Sequence, residues 1–298
     1  MPELPEVTTI VNSLKSTIVG RPVKGVWTDS LKMLQGITFE DLEKTLVGKS
    51  FTNVDRRGKN ILLEIGKTDT LWIHLKMTGH LLLRPTSFFK GEDIDFSETE
   101  KKSTFSEKVN QYIHFRFILD NNEELAFSDM RKFGRIRYNN LPIGKDLTEK
   151  IFSKLGIEPL SKEFNPSYLQ ELASLKRNRN RELKIFLMDQ ESIVGIGNIY
   201  ASEICYQSRI NPRKKVFSLS KKELELLVES IKDVLNKAIK ARGTSISDYR
   251  DIEGEKGNYQ ELRMVYQKKG KSCPNCKGII ESFKQGQRTT FWCPACQK

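Results

Sequence analysis

Residues 273–296 read CPNCKGIIESFKQGQRTTFWCPAC, and the four cysteines of this stretch decide how the chain folds here. They form two C-x2-C pairs separated by sixteen residues. At this spacing each pair supplies two thiolates to one tetrahedral Zn²⁺, and no position remains for a catalytic water. The alternative is four free or disulfide-linked cysteines. We expect one structural Zn²⁺, without which so small a module should unfold, bound by Cys273, Cys276, Cys293 and Cys296.

The residues between the two cysteine pairs, QGQRTTFW (285–292), are typical of a hairpin with Arg288 at its tip. An arginine in such a place is usually just solvated. On a zinc-bound hairpin of a basic protein, Arg288 is a candidate phosphate contact. The remaining cysteine, Cys205, falls in a helical pattern and is interpreted as a small core residue.

The composition limits the classes of molecule that the protein is expected to bind. The chain has 298 residues, which suffice for two or three domains, and 50 Lys and Arg against 38 Asp and Glu give a formal charge of +12. This excess favours a polyanion, either nucleic acid or a membrane surface, although an ordinary basic surface is the alternative. No stretch approaches the ~20 apolar residues of a membrane span, and we expect no signal peptide.

Strand patterns dominate the first half of the chain, after one helix. The segments 46–66 and 113–129 each read as two strands around a turn, and TLWIHLKM (70–77) alternates as a single strand. The polar segment 86–111 is interpreted as a long, mobile surface insertion. The preceding helix ends at a glycine, Gly20, and its apolar stripe is Val7, Ile10, Val11, Leu14 and Ile18.

Helical patterns follow from about residue 145. Short helices flank the glycine-rich turn VGIGN (194–198), and a long helix begins with a capping box of Ser220 and Glu223. Its apolar stripe consists of Leu224, Leu227, Val228, Ile231, Leu235 and Ile239. Gly243 ends this helix, and the polar residues 244–262 are predicted to form a loop.

The first seven residues, MPELPEV, raise a chemical possibility. If Met1 is removed, Pro2 carries a secondary α-amine at the start of a helix. An α-amine has an unperturbed pKa near ~7.7–8.0, so a fraction is unprotonated at neutral pH and can attack an electrophilic carbon to form an iminium. Glu3 is then a candidate proton donor. The alternative is that PELPE simply starts a helix.

MPELPEV, IVGIGNIYASEI (193–204) and the cysteine module together resemble the bacterial formamidopyrimidine-DNA glycosylase family. RRGKNILLEI, HLKMTGHL, SDMRKFGRI and RGTSISDY also resemble family blocks, in family order. The resemblance covers nearly the whole chain except 86–111 and implies an α+β fold. This fold would comprise an N-terminal catalytic β-sandwich with flanking helices (1–140), a helical domain with a helix–two-turn–helix element (141–262) and a C-terminal zinc-finger hairpin (263–298).

The family excises oxidised purines from double-stranded DNA and cuts the strand at the abasic site, so the damaged base must first leave the stack. The resemblance makes Pro2 the nucleophile at C1′ and Glu3 the proton shuttle, with β,δ-elimination releasing both phosphates. Lys59 would contact phosphate near the lesion, where the local alternative is a solvated lysine. Arg288 completes the implied catalytic set, which needs no cofactor besides the zinc.

The resemblance also implies DNA-binding and supporting residues. Met77, Arg131 and Phe133 would fill the space left by the flipped nucleotide, although Met77 and Phe133 could equally be core residues. Loop 244–262 corresponds to the family segment that covers the flipped base. The remaining residues implied to bind DNA are Lys184, Asn198 and His114, and the supporting acidic residues are Glu6 and Glu203. None of the three histidines, His74, His80 and His114, needs a catalytic role, and KRNRNR (176–181) is interpreted as a solvated basic face.

The chain departs from the family pattern at Met130 and Lys132, where proline and arginine are more usual, and in the length of 86–111. These departures leave lesion preference open. One alternative is the sister activity on oxidised pyrimidines of endonuclease VIII-like proteins, and another is a catalytically silent protein that only binds damaged DNA. We expect a monomer in the bacterial cytoplasm, with damaged or abasic-site DNA as the partner and no membrane association.

Overall fold

The computed structural model describes residues 1–88, 103–246 and 248–298, and the chain divides into two compact units. The first contains Met1–Ser153 and Ala241–Asn258, and the second contains Lys154–Lys240 and Tyr259–Lys298. We call Ala241–Asn258 the return segment, because it belongs to the first unit while the chain on either side of it belongs to the second. The three domain boundaries drawn from the sequence stay a prediction.

Two sheets form the first unit. In the described residues, one sheet has the strand order β1-β7-β8-β6 and the other the order β2-β9-β5-β4-β3. Their apolar faces meet in one core, so the predicted α+β fold with a β-sandwich is confirmed. The strands are β1 Gly25–Thr28, β2 Leu34–Gln35, β3 Phe51–Arg57, β4 Asn60–Ile65, β5 Asp69–His74, β6 His80–Pro85, β7 Ile113–Ile118, β8 Glu123–Ser128 and β9 Arg135–Asn139.

Three helices accompany these sheets in the described part of the first unit: α1 Leu4–Thr17, α2 Phe39–Leu46 and α3 Lys145–Phe152. The predicted stripe of α1 is buried in the sandwich core, which confirms this helix. Helix α2 begins where the Thr38 hydroxyl accepts the backbone N–H of Asp41 at 3.2 Å.

Two turns of the sandwich bear on the predictions. The hairpin β7–β8 turns at Asn121 and Asn122, which both have φ of 55°, as the polar turn sequence predicted. Strand β5 ends at His74, so the alternation read through residue 77 stops three residues early. Met77 is 41% exposed and Phe133 is 45% exposed, so the alternative that made them core residues is wrong.

The second unit is helical and ends in a two-stranded hairpin. Its helices are α4 Pro166–Ser174, α5 Lys176–Arg179, α6 Leu183–Leu187, α7 Asn198–Gln207, α8 Lys221–Lys240 and α9 Tyr259–Leu262, and its strands are β10 Glu281–Gln285 and β11 Arg288–Trp292. The capping box of α8 is present, since the Glu223 carboxylate accepts the Ser220 N–H at 2.9 Å. The loop predicted over 244–262 is wrong at its end, where α9 forms a short helical turn.

The predicted insertion 86–111 is only partly within the described residues, since 89–102 lie outside them. The remainder forms short 3₁₀ turns at Thr86–Phe88, Thr104–Ser106 and Lys108–Asn110. Asn110 is fully buried, and its amide donates to the carbonyl of Thr104 at 2.8 Å. Within 103–111, Asn110 is the fully buried residue and the others are partly or fully exposed, so this part of the insertion is a surface segment anchored at Asn110. Its mobility stays a prediction.

Candidate active site and zinc module

The N-terminal turn places three candidate residues at the start of α1. Pro2 is buried, and Glu3 and Glu6 are only 3% and 2% exposed. Glu6 Oε2 accepts the backbone N–H of Glu3 at 2.7 Å, which fixes the peptide that follows Pro2. Two buried acids next to a proline can hold and transfer protons close to the proline nitrogen.

The return segment packs on this turn. Glu6 Oε1 accepts the backbone N–H of Thr244 at 2.7 Å, and the Tyr249 hydroxyl donates to the Glu6 carbonyl at 3.4 Å. Gly243 has φ of +81°, and a Cβ there would lie 2.8 Å from Glu6 Oε1, so only glycine fits. Burial, together with the nearby Glu6 charge, raises the pKa of Tyr249 well above its usual value, so this phenol stays protonated.

Lys59 lies in the turn between β3 and β4, next to Gly58 with φ of 58°. The residue is only 7% exposed, so the alternative of a solvated lysine is wrong. Burial, together with the charges of Lys76 and Lys59, lowers the pKa of His74 to about 4. His74 is therefore neutral at pH 7, and the positive charge in this region comes from lysine.

The three residues expected to fill the vacated space lie together on two turns. Arg131 Nη1 is 3.4 Å from Met77 Sδ, and the Arg131 guanidinium lies 4.5 Å from the centroid of the Phe133 ring. All three side chains are exposed. A flexible thioether, an aromatic ring and a guanidinium on one surface can separate stacked bases and hydrogen bond to an unpaired one.

Asp129 supports this group, and sequence reasoning assigned it no role. Its carboxylate is fully buried and accepts the Thr78 hydroxyl, the Gly134 N–H at 2.7 Å and the Arg131 N–H at 3.3 Å. One carboxylate thus hydrogen bonds to the turn that carries Met77 and to the turn that carries Arg131 and Phe133. The sequence signal for this role was the position of Asp129 in SDMRKFG (128–134), where a strand ends and a turn begins.

His114 is held inside the protein. Its Nδ1 lies 2.9 Å from Asp29 Oδ1, and Lys132 Nζ lies 3.3 Å from the other oxygen of the same carboxylate. The His114 side chain is 10% exposed, and burial lowers its pKa. The DNA contact of His114 stays a prediction. Burial also lowers the pKa of His80 to about 4, and the Nε2 of this ring lies 2.8 Å from Asn110 Oδ1.

In the second unit, Lys184 and Asn198 meet at the start of α7. Lys184 is 1% exposed, and its ammonium donates to Asn198 Oδ1 at 2.6 Å and to Thr290 Oγ1 at 2.9 Å. Because Thr290 lies in β11, this lysine ties the helix start to the hairpin. The structure therefore gives Lys184 a positioning role, and its DNA contact stays a prediction.

Glu203, in the middle of α7, holds the chain that follows α9. Its carboxylate accepts the backbone N–H groups of Met264 at 2.7 Å, Val265 at 3.0 Å and Tyr266 at 2.7 Å. Burial raises the pKa of Glu203, while these three amides act in the opposite direction. This geometry makes Glu203 an anchor of the backbone before the cysteine module.

The four cysteines of the module form one cluster, in which all four Sγ atoms lie within 4.8 Å of one another. The Sγ distances are 3.8 Å for Cys273–Cys296 and 3.5 Å for Cys276–Cys293. A tetrahedral Zn²⁺ with Zn–S bonds of ~2.3 Å needs thiolates about 3.8 Å apart. The residues therefore fit one structural Zn²⁺. Cys205 is buried elsewhere, and burial raises its pKa to about 12, as expected of a core thiol.

The basic residues of the second unit differ in exposure. Arg288 is exposed at the first position of β11, directly after the hairpin turn at 286–287. Within KRNRNR, Arg177 pairs with Glu191 at 2.9 Å and Arg181 with Asp189 at 2.5 Å, while Asn178 is fully buried. Part of this run therefore makes structural contacts within the protein, whereas a solvated basic face was expected.

A β-sandwich that begins with a buried proline and two buried acids, together with a helical unit ending in a four-cysteine hairpin, defines a class of DNA-repair glycosylase. Family models match three regions in order: the formamidopyrimidine-DNA glycosylase N-terminal domain at residues 1–136, its H2TH domain at 155–250, and the zinc finger found in FPG and IleRS at 270–298. The chain belongs to the formamidopyrimidine-DNA glycosylase family. The resemblance, the helix–two-turn–helix element and the zinc finger are thereby confirmed.

Individual relatives agree with this assignment. A formamidopyrimidine-DNA glycosylase of Pelotomaculum thermopropionicum is 36% identical, covering 100% of this chain and 99% of that protein. A mutant Lactococcus lactis FPG in complex with a Fapy-dG containing DNA is 30% identical with a TM-score of 0.83, covering 100% of both chains. The Lactococcus lactis Fpg in complex with an abasic site containing DNA has a TM-score of 0.82 at 30% identity, covering 99% of both chains.

Proposed function

We propose that this chain is a bifunctional DNA glycosylase and abasic-site lyase that excises oxidised purines, chiefly 8-oxoguanine and formamidopyrimidines. The observation that carries this proposal is the N-terminal turn, where Pro2 is buried beside two nearly inaccessible carboxylates. The two acids cap the start of α1 reciprocally, and Glu6 also accepts the Thr244 N–H, so helix capping accounts for Glu6. Glu3, the buried acid directly after the proline, is the one we assign to proton transfer.

The reaction begins once Met1 has been removed. The lone pair of the Pro2 nitrogen forms a bond to C1′ of the damaged nucleotide while the C1′–base bond breaks, and the base leaves with that electron pair and takes up a proton. Glu3 protonates the sugar ring oxygen as the ring opens, and the nitrogen loses its proton, which leaves an iminium between Pro2 and C1′. No electron donor or acceptor is consumed.

Strand cleavage follows from the iminium. Removal of a proton from C2′ expels the phosphate at C3′, and a second elimination expels the phosphate at C5′. Lys59 supplies a cation for a leaving phosphate, since a buried ammonium stabilises developing negative charge more than a solvated one does. Arg288, exposed at the hairpin turn, binds backbone phosphate in the same role.

DNA binding divides between the two units. The exposed group of Met77, Arg131 and Phe133 occupies the space that the flipped nucleotide leaves, and the Arg131 guanidinium hydrogen bonds to the orphaned base. Asn198, at the N-terminus of α7, directs that helix end towards phosphate. The return segment contains residues 244–258 of the loop 244–262 that the family resemblance makes the cover of the flipped base, and we assign it that role. The formal charge of +12 increases affinity for any duplex.

Borohydride trapping tests the proposal. The protein is incubated with an 8-oxoguanine duplex or an abasic-site duplex, and borohydride reduces any iminium to a stable amine. We expect a covalent complex that Pro2→Gly loses and that Pro5→Ala, the matched proline change in the same turn, retains. Binding without a trapped complex would instead identify a silent damage-binding protein.

Two further measurements complete the test. Intact-protein mass spectrometry should show that Met1 is absent, because a retained methionine turns the Pro2 nitrogen into an unreactive amide. A panel of duplexes with 8-oxoguanine, formamidopyrimidine and thymine glycol ranks the lesions, and a strong preference for thymine glycol would favour the sister activity on pyrimidines. In the described residues no helix is long and apolar enough to cross a membrane. Because the relative at 36% identity is a bacterial DNA glycosylase, we propose that the enzyme acts on DNA in the bacterial cytoplasm.

A further inference from the structure

The return segment has little apolar surface with which to hold its own conformation. Its sequence is polar, and its buried apolar side chains within the described residues are Tyr249 and Ile252. Asp251 organises the segment internally, with Oδ1 accepting the N–H groups of Glu253 at 2.9 Å and Glu255 at 3.0 Å. Segments with few apolar contacts open at low cost, so contacts with the rest of the unit decide where this one lies.

One side of the segment is fixed by the active-site turn through the Glu6–Thr244 hydrogen bond. The segment also hydrogen bonds to the sandwich, where the Leu83 N–H donates to the Ile252 carbonyl at 2.8 Å. Both contacts join it to elements that resemble the family. Neither contact involves Arg250, Glu253 or Gly254. Within the segment, the Glu253 side chain pairs with Arg242 at 2.9 Å.

The other side is fixed by residues 103–111, the second of the two described parts of the insertion. The Arg250 guanidinium donates twice to Glu107 Oε2, from Nη2 at 2.7 Å and from Nε at 3.0 Å. The Thr104 hydroxyl donates to the Glu253 carbonyl at 2.8 Å. A Cβ on Gly254 would lie 3.0 Å from Asn110 Nδ2 and 3.1 Å from Thr104 Oγ1, so the two segments are in close contact.

The insertion side of this contact is itself anchored. Asn110 is fully buried and connects Thr104 to the buried ring of His80, three residues after Met77. Neutral His80 donates from Nε2 to Asn110 Oδ1, because the Asn110 amide nitrogen already donates to the Thr104 carbonyl. The contact therefore runs from the sandwich strand β6 through the insertion to the return segment.

We propose that residues 103–111 clamp the return segment over the base, so that Glu107 and Thr104 are positioning residues for base excision but not for cleavage at an abasic site. This inference rests on the proposed function, in which the return segment covers the flipped base. An abasic site presents no base to cover, so its cleavage needs Pro2, Glu3 and Lys59 but not a closed return segment.

The ion pair is suited to this task because its arginine is inside the protein. The Arg250 side chain is 5% exposed, against 42% for Glu107. Removing the carboxylate leaves a buried cation without that partner, and this cation gains by moving towards water. Because Arg250 belongs to the return segment, its movement shifts the cover over the base.

The experiment compares Glu107→Gln and Thr104→Val with wild type under single-turnover conditions on two duplexes, one with 8-oxoguanine and one with a preformed abasic site. Glu123→Gln is the matched control. Glu123 lies 2.7 Å from Arg21 in a pair of similar exposure, 37% for the acid and 15% for the arginine, at the start of β8 in the same unit. Hydrogen–deuterium exchange of peptides spanning 241–258 reports the position of the segment without reference to activity.

We expect Glu107→Gln to lower the rate of 8-oxoguanine excision about tenfold, with cleavage of the abasic duplex within about twofold of wild type. Exchange in 241–258 should be faster than in wild type and in Glu123→Gln. Thr104→Val should act in the same direction with a smaller effect. Glu107→Asp, which keeps the charge, should restore much of the excision rate.

Three results would overturn the clamp: equal losses on both duplexes, unchanged excision, or unchanged exchange in 241–258. Failure of the proposed function looks different, because wild type would then release no base from the 8-oxoguanine duplex. In that case the exchange measurement alone decides whether residues 103–111 hold the segment.

Discussion

The carboxylate of Glu6 accepts the backbone N–H of Thr244 at 2.7 Å, across 238 residues of sequence. Its other oxygen accepts the N–H of Glu3 at 2.7 Å. One side chain thus sets the peptide after Pro2 and the first residues of the segment proposed to cover the base. Glu6 is an acceptor for two amides, and this use requires both of its oxygens.

Glu6→Gln tests this double acceptor. The amide of glutamine offers one acceptor and places an NH₂ group against the second N–H, so a buried amide loses its partner. We expect a loss of about 1–3 kcal/mol in the free energy of unfolding, together with a lower yield of the borohydride-trapped complex. Glu40→Gln, an exposed acid in the first turn of α2, is the control for thermal denaturation and should change neither quantity.

Asp129→Asn tests the support of the Met77, Arg131 and Phe133 group. The substitution turns an NH₂ towards the Gly134 or Arg131 N–H, so the two turns lose a shared acceptor. We expect a loss of about 1–3 kcal/mol in the free energy of unfolding. Compared with wild type, the affinity for an abasic-site duplex should fall more than the affinity for an undamaged duplex. Fluorescence anisotropy on the two duplexes measures both affinities.

The control for this prediction is Asp55→Asn, because the Asp55 side chain is 51% exposed and its ion pair with Lys15 is 3.9 Å long. A parallel fall in affinity for both duplexes would contradict the idea that Asp129 acts through the three exposed residues. It would indicate a general loss of folding instead.

Cys276→Ser tests the zinc module. A serine hydroxyl is a poor replacement for a thiolate, so we expect the purified variant to lose most of its bound zinc and most of its affinity for DNA. Cys205→Ser is the matched control: it changes a buried cysteine outside the cluster and should keep one zinc per chain. Elemental analysis and anisotropy decide the outcome, and a zinc-free wild type would refute the site.

The pH dependence of stability tests the burial of His80. Its pKa is lowered to about 4 in the folded protein, whereas an unfolded histidine titrates near ~6.5. The unfolded chain therefore binds a proton first as the pH falls. The stability that comes from keeping His80 neutral is fully present above pH ~6.5 and is lost as the pH falls to about 4. The total loss in the free energy of unfolding is on the order of 3 kcal/mol.

His80→Gln keeps a donor for Asn110 and removes the titrating ring. Urea denaturation at a series of pH values should show a shallower decline between pH 6.5 and 4 for this variant than for wild type. His74, whose pKa is also lowered to about 4, contributes in the same range, so the double change with His74→Gln should flatten the curve further. Identical slopes for wild type and both variants would show that neither ring is held neutral.

The sequence by itself determined the local structure and the type of chemistry. Helical periodicity predicted α1 and α8, the Asn-rich turn predicted the β7–β8 hairpin, and cysteine spacing predicted the four-thiolate cluster. These features depend on residues close together in the chain, where periodicity, turn chemistry and ligand spacing act directly. The ordered motifs added the family.

Only the tertiary structure decided which residues that are far apart in the sequence come into contact. It showed Lys59 buried, Met77 outside the core, and Asp129 between two turns. It also placed residues 103–111 against the return segment through Arg250 and Glu107. Such contacts follow from the packing of segments that are far apart in sequence, and a polar residue in a loop carries no local sign of the partner it will meet.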